Sequence, residues 1–136
     1  MKDEDILKII IKYRPKSLKP EHVEGMMFVL GYLEKNGTSN VKTIGDSLNV
    51  SSARMAVILN KLEDKGYVKR YKSEDDKRVT LVKLLPEGKN LINKVETKLL
   101  KRFRIIEANI GEDDFNHLMM TLDKIAEIDF GDDMKC

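Results

Sequence analysis

Asp75-Asp76-Lys77-Arg78 is the tetrad of this 136-residue chain whose residue types and spacing are most chemically specific. It lies between two stretches of strand pattern, Tyr67 to Lys72 and Arg78 to Leu84, so Ser73 to Lys77 read as the tip of a hairpin. Carboxylates repel phosphate, and their presence in a basic hairpin needs a reason. Asp76, two residues before Arg78, can hold the guanidinium by charge-assisted hydrogen bonds. The arginine would then be aimed at a narrow, A·T-rich minor groove. A polar tip with an incidental ion pair is the equally open alternative.

The second candidate group precedes the hairpin. Ser51, Ser52, Ala53, Arg54, Val57, Asn60 and Lys61 fall on one side of a short helical pattern whose other side carries Met55, Ile58, Leu59 and Leu62. With Asp76, Lys77 and Arg78 they form the candidate contacts to double-stranded DNA. Other chemistries find less support. The chain has no glycine-rich phosphate loop, nucleophile elbow or paired-histidine motif, which argues against an enzyme. His22 stands beside Glu21 and Glu24, and His117 near Asp113 and Asp114. Two histidines without an upstream cysteine read as exposed helical residues, with a metal-responsive regulator as the minor alternative. No cofactor is expected. Cys136, the single cysteine, cannot form an internal disulfide, and a tail position gives it nothing to lower its pKa. No stretch nears the ~20 apolar residues of a membrane span, and the first residues lack a signal-peptide pattern. A cytoplasmic protein without a membrane partner is the expectation.

The elements that must position these residues follow from periodicity and punctuation. Asp3 to Tyr13 places Ile6, Leu7, Ile10 and Ile11 at helical spacing, and Arg14-Pro15 ends that helix. Pro20 suits the first turn of a second helix with Val23, Met26, Met27, Leu30 and Leu33 inward, closed by Asn36-Gly37. Its methionines read as core filler rather than metal ligands. Ser39 or Asn40 caps a helix from Val41 to Leu48, with Ile44 and Leu48 inward and Gly45 permitting a close crossing. Asn49-Val50-Ser51 forms a tight turn, Ser51 caps a helix from Ser52 to Lys65, and Gly66 terminates it. Two short helices across such a turn make a helix-turn-helix, whose second helix reads the major groove.

Beyond the hairpin, Pro86 opens a long helix to about Asn109 with a stripe of Leu91, Ile92, Val95, Leu99, Phe103, Ile106 and Ile110. Gly111 breaks the chain, and Glu112-Asp113-Asp114 opens a last helix with Phe115, Leu118, Met119, Leu122, Ile125 and Ala126 on one face. A helix of about 36 Å is longer than one small domain needs to cover itself, so an intersubunit layer is expected, with a purely intramolecular pair as the alternative. Charge is divided along the chain. Lys61 to Lys83 holds eight basic against five acidic residues, whereas from Glu107 onward nine acidic residues meet only Lys124 and Lys135. That pattern fits a polyanion-facing middle and a solvated end, although charge alone fits a solvated face equally well.

TIGDSLNVSSARMAVILNKLEDKGYVKR and DDKRVTLVKLLPEGKNLI, with Leu62-Glu63 before Gly66, Asp76 before Arg78 and Leu85-Pro86 before Gly88, resemble the MarR family of transcription regulators. The resemblance runs from about Val41 to Ile92. It implies a mainly α fold with a small β-hairpin wing: four helices, the hairpin and two more helices in one domain, 1–136. Residues 20–85 would form the winged helix-turn-helix, and 1–14 with 86–130 a helical dimerisation layer. It implies a homodimer reading a pseudo-palindrome, with Arg78 in the minor groove, Asp76 orienting it and the Ser51 to Lys61 helix in the major groove. Repression, and release by a small-molecule effector of unknown site, belong to the same reading. A winged-helix module for nonspecific DNA or protein binding is the rival. Ala56 and Val57 depart from the polar residues commoner in that family, so thymine methyl contacts, phosphate contacts and DNA shape should weigh more in base reading.

Overall fold

The computed structural model describes residues 1–12 and 22–129. The expected break at Arg14-Pro15, the start at Pro20, the side chains of Ile11, His22, Val23 and Glu24, and the tail with Cys136 lie outside the described residues. The elements are α1 (Asp3–Lys12), α2 (His22–Asn36), β1 (Ser39–Asn40), α3 (Val41–Leu48), α4 (Ser52–Asp64), β2 (Val68–Lys72), β3 (Thr80–Leu84), α5 (Pro86–Ile110) and α6 (Glu112–Ala126). This is a winged helix-turn-helix with further helices, mainly α as the pattern of the sequence predicts.

The turn between α3 and α4 is built by local chemistry. Asn40 caps α3 by accepting the Lys42 N–H on Oδ1 at 2.8 Å. Asn49 takes the left-handed conformation at φ 57°, which asparagine tolerates better than most residues. The Val50 N–H then donates to Gly45 O at 2.8 Å. Gly45 eases this approach, because a Cβ would lie 3.1 Å from Val50 O and 3.3 Å from Met55 Cγ, tight enough that the neighbours would have to give by a few tenths of an ångström. Ser51 caps α4 by accepting the Arg54 N–H at 3.2 Å. Met55, Ile58, Leu59 and Leu62 are all buried, as the spacing predicts.

The sheet departs from expectation in two ways. It has three strands, ordered β1-β3-β2, because Ser39 and Asn40 pair antiparallel with Val82 and Leu81. Two residues are too few to show a strand period, and Asn40 doubles as the helix cap. The hairpin strands are also shorter than predicted. Tyr67 is occupied in closing α4, donating its N–H to Leu62 O at 3.0 Å and accepting the Leu85 N–H at 2.9 Å. At the other end the Val79 N–H turns back to Asp76 O at 2.9 Å, so Arg78 belongs to the tip and not to the strand.

The described residues fall into two compact units, 22–94 and 1–12 with 95–129. In the first, Val29, Leu30, Leu33, Ile44, Leu59 and Val82 are among the buried residues, and Met26 and Met27 pack half-buried against them. Val29, absent from the predicted stripe of α2, is fully buried. In the second, Ile6, Phe115 and Met119 form the buried centre, with Leu100, Phe103 and Leu122 packed around it. Leu100 lies outside the predicted stripe. Arg104 ties the start of the chain to α5, donating to Met1 O at 2.8 Å, to Asp3, and to Glu107 Oε1 at 3.0 Å. Val95, Ile106, Ile110, Leu118 and Ile125, all predicted stripe residues, are exposed.

Gly88 locks the start of α5 to the hairpin. A Cβ there would run into Tyr67 O and come within 2.8 Å of Leu84 Cδ1, and the carbonyl, already hydrogen-bonded, has little room to yield. Gly88→Ala is therefore expected to cost about 1–3 kcal/mol, a fall of roughly 4–12 °C in melting temperature by calorimetry. An unchanged transition would show that this junction relaxes freely.

Candidate nucleic-acid interface

Ser51, Ser52, Ala53, Val57, Asn60 and Lys61 are exposed on α4, and Arg54 is partly so. Val57 is half-exposed and sits between Arg54 and Lys61, three residues before and four after it, so all three share one face. With Ile58 they line a small surface notch that has an apolar floor and two cations at its edge. A surface of this kind attracts phosphate at its rim and offers methyl groups at its centre. The side chains of this face are exposed or partly so, with Asn60 accepting from Arg70 and Ser51 from the Arg54 N–H.

The wing tip is folded around Asp76. Its Oδ1 accepts the Arg78 N–H at 3.0 Å and Nε at 3.1 Å, and its Oδ2 accepts Nη2 at 3.2 Å. The Ser73 N–H closes the loop on Val79 O at 2.9 Å. Asp76 thus forms an Asx-type turn and a two-toothed clamp with one carboxylate. These bonds from Arg78, the side-chain pair first, hold the Asp76 carboxyl below the usual aspartate range. Arg78 nevertheless remains 92% exposed, so it is restrained at one edge while its other edge faces solvent. Lys77 beside it is exposed, and Lys72 donates to Thr80 Oγ1 at 2.9 Å along the hairpin.

A further cluster joins α4 to the wing. Arg70 donates its backbone N–H to Glu63 Oε2 at 2.8 Å, and its Nη2 to Glu63 Oε1 at 3.1 Å and to Asn60 Oδ1 at 2.5 Å. In the sequence Glu63 stands out only as part of the Leu62-Glu63 pattern before Gly66, and Arg70 not at all. The signal is present, because strand alternation from buried Val68 puts Arg70 on the helix-facing side, where a guanidinium needs a carboxylate.

Glu63 is held below the usual glutamate value, first by the Arg70 N–H and then by its guanidinium. A lowered folded-state pKa means the tie contributes fully above the unfolded value of about 4.3 and is lost as pH falls through the folded value. Glu63→Gln is expected to lower stability at pH 7 by about 1 kcal/mol at this partly exposed site. The gap between the two proteins should close below about pH 4 in a pH series of melting curves. A gap that persists in acid would assign the loss to shape and not to charge.

His117 is exposed, and among the described residues no group of three or more His, Cys, Asp or Glu is placed to hold a metal ion. Also among the described residues, no helix is long and apolar enough to cross a membrane.

Comparison with known proteins places this geometry. A model of the MarR family matches residues 25–80. The HTH-type transcriptional regulator SarZ of Staphylococcus epidermidis is 30% identical over 105 residues, covering 73% of this chain and 71% of its own. Among solved structures, FabT of Streptococcus pneumoniae in complex with DNA has a TM-score of 0.64 at 22% identity, covering 74% of this chain and 71% of that one. PcaV from Streptomyces coelicolor, in complex with its natural ligand, has a TM-score of 0.60 at 16% identity, covering 82% and 79%. These two likenesses establish a shared fold.

Proposed function

The chain belongs to the MarR family of DNA-binding transcriptional regulators, and from that premise we propose that it is a homodimeric repressor acting on a pseudo-palindromic operator. In this reading α4 enters the major groove, with Ser51, Ser52, Ala53, Arg54, Val57, Asn60 and Lys61 towards the DNA. Arg78, oriented by Asp76 and flanked by Lys77, enters the adjoining minor groove. The observation that carries the reading is the Asp76 clamp, in which two hydrogen bonds restrain a guanidinium that stays 92% exposed and a third fixes the Arg78 backbone N–H. An arginine so prepared loses less freedom on meeting a phosphate-lined groove. FabT, whose structure holds DNA, supports the partner.

Dimerisation through 1–14 and 86–130 is supported by Val95, Ile106, Ile110, Leu118 and Ile125, apolar residues left exposed along α5 and α6. One copy would place one α4, and a second related by a two-fold axis would place the other about one helical turn away. Release by a small-molecule effector is part of the same proposal, supported by PcaV, whose structure is a complex with its natural ligand. MarR-type relatives are regulators and not enzymes, and this chain is read in the same way. The test is a polarisation titration of the protein against DNA from upstream of its own gene and against a scrambled duplex. Preference for the former by about 1000-fold or more at physiological salt supports specific regulation. Equal binding to both, abolished together by salt, would mark a nonspecific winged-helix module.

A further inference from the structure

Arg70 is the side chain through which the wing touches the exposed face of α4. Its Nη2 lies 2.5 Å from Asn60 Oδ1, and Glu63 holds the same residue at its backbone and its guanidinium. A guanidinium has donors and no acceptor, so the Asn60 atom against it must be the amide oxygen. An unrestrained asparagine on a recognition helix reads adenine by taking a hydrogen from N6 on its oxygen and giving one to N7 from its nitrogen. In Asn60 the oxygen is drawn to Arg70, and the group left for an outside partner is the amide nitrogen, a donor. Apart from the Ser52 hydroxyl, which can accept as well as donate, the rest of the face leans the same way. Arg54 and Lys61 donate only, the Ser51 oxygen already accepts the Arg54 N–H, and Ala53, Ala56 and Val57 offer methyl groups.

We propose that Arg70 is a positioning residue that fixes the polarity of Asn60, so that the base Asn60 meets in each half-site is guanine or thymine and not adenine. Guanine presents O6 and N7, and thymine O4, as acceptors on the major-groove edge, whereas adenine sets its N7 acceptor beside the N6 amino group, a donor that finds no acceptor on an Asn60 whose oxygen is taken. The proposal rests on the placement of α4 in the major groove given above. Glu63 serves it indirectly, by keeping Arg70 from turning outward to a phosphate.

The experiment enriches random duplexes against the full-length wild type, Asn60→Ala, Arg70→Met and Arg70→Lys in parallel, with the melting temperature of each protein recorded. The wild type is expected to prefer guanine or thymine over adenine by about fivefold or more at one position of each half-site. That preference should vanish in Asn60→Ala and shift towards adenine in Arg70→Met. Arg70→Lys, which keeps a donor on the Asn60 oxygen, should retain it. Adenine at that position in the wild type overturns the proposal, as does an Asn60→Ala profile identical to the wild type. A lower melting temperature in Arg70→Met with its base preferences unchanged would make Arg70 merely structural and overturns it equally. Enrichment of no sequence by the wild type removes the DNA-reading role beneath it, a result separable from the others because no half-site then exists.

Discussion

Arg78→Ala is expected to weaken operator binding about 10- to 100-fold, the worth of one to two charge-assisted hydrogen bonds, while the melting temperature stays within a degree or two. The stability expectation follows from exposure: among the hydrogen bonds described, Arg78 donates only to Asp76, and its side chain lies almost wholly in solvent. The binding expectation follows from the clamp. Asp76→Asn keeps the shape of the turn while removing the charge that holds the guanidinium, so it should give a smaller loss in the same direction. Because the Asp76 carboxyl is held below the aspartate range by Arg78, the clamp persists as pH falls from 8 to 5 and adds no pH dependence there. Polarisation titrations at two salt concentrations would separate the effects. If Arg78 meets only a phosphate, its removal should lower the salt slope by about one and act alike on all sequences. If it enters the minor groove, its removal should act most on operators with A·T-rich flanks. Unaltered binding at moderate salt would remove Arg78 from the interface.

Ile106→Glu is expected to have the other large effect, a shift from dimer to monomer at micromolar concentration and a fall in operator affinity of about 100-fold or more. Ile106 is 37% exposed, three residues after Phe103, which packs in the second core, and four before exposed Ile110. The stripe therefore passes from packed Phe103 to uncovered Ile106 and Ile110 along the same helix. A glutamate at a solvent-facing position costs the monomer little, but in a subunit interface it buries a carboxylate without a partner. Each half-site would then be bound alone, without the second copy to raise its effective concentration. Sedimentation velocity with circular dichroism checks both halves of the expectation. A variant that keeps its helices, its dimer and its DNA binding would exclude this stripe from the interface.

What can be read from the chain is whatever is decided locally. Asn40, Asn49, Ser51 and Gly66 set caps and turns through their own side chains or their tolerance of positive φ, so α3, α4 and their turn have the bounds the sequence predicts, save one residue at Lys65. The Asp76–Arg78 clamp is legible for the same reason, joining residues two apart. Features set by distant partners are not. The strand Ser39–Asn40 exists only because β3 offers a free edge some 40 residues later. Leu100 packs inward beside Phe103 although the helical stripe passes over it. The Arg70 cluster joins residues seven and ten apart across a turn, which periodicity does not rank. The stripe of α5 and α6 is legible as apolar, but spacing alone does not say that much of it stays uncovered in one chain.

The measurement that bears most directly on a two-fold reader built from α4 and the wing is a hydroxyl-radical footprint on the enriched operator, with the mass of the complex determined alongside. The account predicts two chains per duplex and two protected patches about one helical turn apart, each flanked by a protected minor groove that opens again in Arg78→Ala. A single patch, one chain per duplex, or uniform protection along the DNA would contradict it.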